Sequence, residues 1–128
     1  MQVIHTDNAP SHVGPVPQAV EAGGWIYVSA LFGVNPVDHA LPDDARAEAE
    51  LLFDNLAAIL EAAGSGLTDV VRVGIVMCEL QRDRPVFNEV WAQRFGDHRP
   101  ARSAIQSPEF GRTGENARFM IEAAAFRG

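Results

Sequence analysis

The chain has 128 residues, enough for one domain with a real hydrophobic core, and we read residues 1–128 as a single domain. Hydrophobic residues make up 47% of it and charged residues 21%, a globular balance. A net charge of −7 and a pI of about 4.9 argue against nucleic acid as the main partner, because such binding rests on neutralising phosphates with Lys and Arg. All ten basic residues are Arg. No apolar run reaches the length of a membrane span, and no basic-then-apolar leader opens the chain, so neither a membrane partner nor export is expected and a cytoplasmic location is the simplest expectation. The single cysteine, Cys78, excludes an internal disulfide, and His5, His12, His39 and His98 are too scattered for a metal site.

In chain order, residues 2–5 suit a short edge strand, and Asp7-Asn8-Ala9-Pro10 is turn material. Gly14-Pro15-Val16-Pro17 is held extended by its prolines. Gln18 to Ala22 and Trp25 to Ala30 read as two strands joined at Gly23-Gly24, followed by a loop from Leu31 to Leu41. A first helix is expected from Asp43 to Ala63, with Asp43 and Asp44 at its positive end and Gly64 as its stop. Leu52, Leu56, Ile59, Leu60 and Ala63 form its apolar stripe.

Val70 to Cys78 is nearly all apolar and reads as a central strand buried on both faces, with Cys78 an inert core thiol. A second helix is expected from Arg84 to Phe95, capped by Asp83, with Pro85 in its first turn and Phe87, Val90, Trp91 and Phe95 buried. A strand follows Pro100, residues 107–117 form a long polar loop, and Arg118 to Phe126 is the closing strand. The order β-β-β-α-β-α-β-β implies an α+β fold of two layers, a six-stranded mixed sheet with two helices on one face. The other face would be bare, so a homo-oligomer with sheets packed inward is expected.

Two residues stand out chemically. In Ala101-Arg102-Ser103-Ala104-Ile105-Gln106, strand alternation puts Arg102 on a face with Ala104 and Gln106. Its planar fork matches a carboxylate or phosphate. Glu122 interrupts the apolar closing strand. If the last two strands pair antiparallel, the two can share a face. The residues alone leave two readings open: a plain salt bridge, or an Arg holding a ligand acid beside a Glu that handles water or a proton.

The chain resembles the Rid (YjgF-type) family of imine and enamine deaminases. The resemblance rests on Asn8-Ala9-Pro10, Gly14-Pro15 with Gln18-Ala19-Val20, Val28-Ser29, Asn55-Leu56 with Glu61-Ala62-Ala63-Gly64, Phe87-Asn88-Glu89-Val90, Pro100-Ala101-Arg102-Ser103 and Ile121-Glu122-Ala123, in family order over nearly the full length. It implies a chorismate-mutase-like fold, a homotrimer with active sites in clefts between subunits, and hydrolysis of 2-imino or 2-enamino acids to 2-keto acids and ammonia without cofactor or metal. By resemblance Arg102 would hold the substrate carboxylate and Glu122 would position the water, with Ser103, Ala104, Val16, Ala30, Leu31 and Asn88 around the substrate. Three positions depart from the usual pattern: Val16 replaces Tyr, Ala104 replaces Cys, and Ala30-Leu31 replaces Gly-Gln. These changes imply a more apolar pocket, and with Val16 and Leu31 lining it a larger, more apolar imino acid is expected. A non-catalytic trimer binding 2-keto acids or other small carboxylates is the alternative. RNA cleavage, a label sometimes given to the family, is disfavoured by the acidic pI.

Overall fold

The computed structural model describes residues 1–12, 14–108 and 116–128, so most of the expected loop 107–117 lies outside the described residues. The elements are β1 (Gln2–Ile4), β2 (Ala19–Ala22), β3 (Trp25–Phe32), α1 (Ala45–Ala62), a short 3-10 turn (Leu67–Asp69), β4 (Val70–Met77), α2 (Leu80–Phe95), β5 (Ala101–Gln106) and β6 (Phe119–Phe126). They build a two-layer α+β domain around one six-stranded sheet of order β1-β2-β3-β6-β4-β5. Every neighbouring pair is antiparallel except β4 and β5, which run parallel with α2 as their crossover.

Helix α1 forms where the sequence places it. The Asp44 side chain accepts from the Ala47 N–H at 2.8 Å, satisfying one orphan donor of the first turn. At the far end Gly64 takes a φ of +74°, and the Gly64 and Ser65 N–H groups return to the Glu61 and Leu60 carbonyls at 2.9 and 2.8 Å. That paired closure requires a left-handed residue, which glycine adopts without penalty. Leu52, Phe53, Leu56, Ile59 and Leu60 are essentially inaccessible to solvent in the core.

Helix α2 corrects the expectation. It starts at Leu80, four residues before Arg84, and Asp83 is not its cap. The free N–H of Leu80 donates instead to Oε1 of Gln106 at 2.9 Å. Asp83 is buried in the first turn with its carboxylate bridged by the Arg82 guanidinium at 2.9 Å, and Pro85 falls inside the helix. The strand predicted over Trp25 to Ala30 runs on to Phe32 through a register irregularity between Val28 and Leu31.

Alternate residues of the sheet (Ile26, Val28, Val73, Ile75, Phe119, Ile121, Ala123 and Ala125) join both helices in one core. Among the described residues the opposite face carries no layer. There β4 departs from its apolar pattern: Arg72 is exposed and Gly74 and Val76 are half-buried, so the strand is buried on one face only. The same open face presents Trp25, Tyr27, Ile105 and Phe126, which are 36%, 51%, 60% and 40% exposed. Trp25 contacts Phe126 with ring centroids 4.9 Å apart.

Candidate active site

Strand β5 is an edge strand, paired among the described residues with β4 alone. Alternation turns Arg102 and Ala104 towards the helices, while Ser103 and Ile105 face the open side. Arg102 lies against α2. Its guanidinium donates to Oδ1 of Asn88 at 2.7 Å, and its carbon sits 4.7 Å from the Trp91 ring centroid and 5.8 Å from that of Phe87. No carboxylate among the described residues pairs with it. Burial, and after it the nearby charge of Arg84, lowers its pKa from the ordinary value of an arginine. A half-buried cation held by an amide oxygen and two rings, with no carboxylate partner among the described residues, is a site that an incoming carboxylate would satisfy. Being on an edge, β5 also leaves every second N–H without a ladder partner, available to the same anion.

Glu122 lies elsewhere. The two final strands are not neighbours: β4 runs between β5 and β6, and Gly74 is in register with both Ser103 and Glu122. Glu122 alternates with Ile121 and Ala123, which point into the core, so its carboxylate stands on the open face. Arg102 and Glu122 are therefore on opposite faces, two strands or about 10 Å apart along the sheet. The expected shared face does not occur within one chain, and the salt bridge that would have been the plainer reading is absent among the described residues.

Around Glu122 the open face dips into a hollow of about 260 Å³ lined by Tyr27, Val28, Arg72, Gly74, Glu122, Ala123 and Ala124. Arg72 donates to Oγ of Ser103 at 3.0 Å. Gly74 makes the room: a Cβ there would lie 3.2 Å from both Cγ and Oε1 of Glu122. None of Arg72, Gly74 and Tyr27 was singled out by the sequence, since each looks ordinary in an apolar strand.

The other expected residues divide. Asn88 adjoins Arg102, and Ser103 reaches the hollow's edge through Arg72. Val16 is exposed in the segment before β2. Ser29 bonds through Oγ to the Pro17 carbonyl at 2.7 Å. The Ala30 backbone meets His12, whose pKa is lowered by burial, against a smaller opposing effect of that hydrogen bond. Leu31 is 3% exposed in the main core, because β3 extends through it. Its side chain is packed in that core, so it offers little exposed surface to the larger apolar substrate expected from the sequence. Ala104 packs against the same core. Among the described residues no three His, Cys, Asp or Glu side chains gather closely enough to hold a metal ion.

An open sheet face, a half-buried arginine on an edge strand and a lone glutamate on the other side mark this small α+β domain. The profile of the endoribonuclease L-PSP family matches residues 6–126. The chain is 35% identical over 129 residues to the 2-iminobutanoate/2-iminopropanoate deaminase of Escherichia coli, covering 98% of each chain. It is 34% identical over 127 residues to a RutC family protein of Pyrococcus horikoshii, again covering 98% of each. Among solved structures it is similar to RidA from an Antarctic Psychrobacter, with a TM-score of 0.91, 35% identity and coverage of 99% of this chain and 100% of that one. It is also similar to Escherichia coli TdcF with bound serine, with a TM-score of 0.91, 30% identity and full coverage of both. The chain belongs to the Rid family, the YjgF or endoribonuclease L-PSP family.

Proposed function

We propose that this protein hydrolyses reactive 2-imino and 2-enamino acids to 2-keto acids and ammonia, in clefts between the subunits of a homotrimer. The observation that carries this is Arg102: a half-buried guanidinium on an edge strand, held by Asn88 and Trp91 and lacking a carboxylate partner among the described residues. Its fork takes the substrate carboxylate in two parallel hydrogen bonds, and the outward N–H groups of β5 near Ser103 and Ala104 add to that grip. This fixes the C=N carbon in position.

Glu122 supplies the second element. Its carboxylate holds a water and takes a proton as the water oxygen bonds to the imine carbon. Glu122 passes that proton on to the imine nitrogen, giving a carbinolamine and returning the carboxylate to its ionised form. Collapse of the carbinolamine breaks the C–N bond, releases ammonia and leaves the keto acid. Since one chain turns Arg102 and Glu122 to opposite faces, the pair acts on one substrate only where two chains meet. The apolar open face gives those chains a reason to associate. The named activity of the Escherichia coli deaminase supports the same chemistry.

The test is the rate of 2-keto acid release from imines generated in situ by amino-acid oxidases, with and without the protein. Acceleration that disappears in Arg102→Ala is the expected result. Binding of 2-keto acids with no acceleration for any substrate would overturn it in favour of a carboxylate-binding module without chemistry.

A further inference from the structure

The hollow that holds Glu122 also holds a cation the mechanism does not use. Arg72 projects from β4 onto the open face, two residues before Gly74 and across β6 from Tyr27. Of its five N–H donors, the one hydrogen bond it makes among the described residues goes to the neutral Ser103 hydroxyl. Glu122 lines the same hollow, yet no ion pair joins the two. Gly74 keeps the space beside Glu122 clear. Glycine in mid-strand costs stability and packs nothing, and it commonly marks a place where a ligand comes close to the backbone.

We propose that Arg72, supported by Ser103, is an anchor for a second carboxylate, so that the site favours imino acids with a carboxylate on their side chain, the imines of aspartate and glutamate. The inference rests on the deaminase reading above and names its substrate class. Arg102 from a neighbouring subunit takes the α-carboxylate. Glu122 keeps the water at the imine carbon. The side-chain carboxylate lies on the Ser103 side of Arg72, away from Glu122, where the guanidinium offers a charge-assisted fork. The hollow, at about 260 Å³, has room for a four- or five-carbon acid. The chemistry of the acidic substrates is unchanged: water adds across C=N and ammonia leaves.

The experiment compares imines of alanine, leucine, aspartate and glutamate, each produced by a suitable oxidase, on the wild type and on Arg72→Met, Arg72→Lys and Arg102→Ala. Arg72→Met should raise KM for the two acidic substrates by about tenfold or more, leaving kcat and the alanine value little changed; this is the pattern of a lost binding contact. Arg72→Lys, which keeps a charge but loses the fork, should recover part of it. In parallel, calorimetry should show 2-oxoglutarate binding the wild type more tightly than pyruvate, with the difference lost in Arg72→Met. Equal effects of Arg72→Met on acidic and neutral substrates, or none on either, would overturn the proposal. If Arg102→Ala keeps full activity, the deaminase site itself is misplaced; if Arg102→Ala is dead and Arg72→Met unselective, only the second anchor fails.

Discussion

Arg102 is held on three sides by α2: Asn88 accepts its hydrogen bond, and Trp91 and Phe87 offer their ring faces. A cation over an indole at partial burial is worth about 1 kcal/mol. Trp91→Leu should therefore raise KM for any imino acid about fivefold with kcat nearly constant, and Trp91→Phe should restore part of that loss. Steady-state kinetics on the alanine-derived imine check both. Arg102 and Glu122 stood out in the sequence because each breaks an apolar or alternating strand with a lone charge. Their relation was not, because it depends on β4 running between them, a matter of strand order that local pattern does not encode. Arg72 was illegible for the opposite reason: one polar residue in an apolar run looks like any strand's solvent side.

At the scale of elements, the chain relies on buried polar ties that join segments far apart in sequence. Glu48 of α1 is fully buried and accepts from the backbone N–H groups of Arg118 and Phe119 at 2.7 and 3.1 Å and from the Arg118 guanidinium at 2.8 Å. It thereby fixes the start of β6 to the helix. Burial raises its pKa above the usual carboxylate value, outweighing the Arg118 contacts that lower it. A raised carboxylate pKa means the folded chain binds more protons, so Glu48's contribution is greatest at acid pH and declines as pH rises through the raised pKa. Urea denaturation of the wild type and Glu48→Gln at several pH values should show the gap between them narrowing from pH 4 upward through that window and then levelling. Arg118→Ala leaves the buried carboxylate without its cation and should cost about 3 kcal/mol at pH 7, read from the same curves. Gln18 plays a similar part, its amide bridging Thr6, Ala9 and Pro10 through bonds of 2.8 to 3.1 Å. Helix α1 was readable because its cap and stop are local. The true start of α2 was hidden because its first N–H is satisfied by Gln106, twenty-six positions away.

At the scale of the whole molecule, the two-layer fold could be read from the sequence, and the bare sheet face followed from counting helices. Trp25, Tyr27, Ile105 and Phe126 stand partly exposed on that face. Phe126→Glu or Ile105→Asp places a charge where the proposed subunit contact lies. Either should yield monomers by light scattering, with imine hydrolysis lost in step while the far-ultraviolet circular dichroism of the domain is retained. The division of Arg102 and Glu122 between the two faces carries a genetic corollary. In the proposed trimer, a chain lacking only the arginine and a chain lacking only the glutamate would each be inactive alone, yet each would still supply what the other lacks. Co-expressed Arg102→Ala and Glu122→Gln chains that mix at random should regain about a quarter of the wild-type sites, because each site draws one residue from each of two neighbours. Two dead alleles would then complement one another in a single cell.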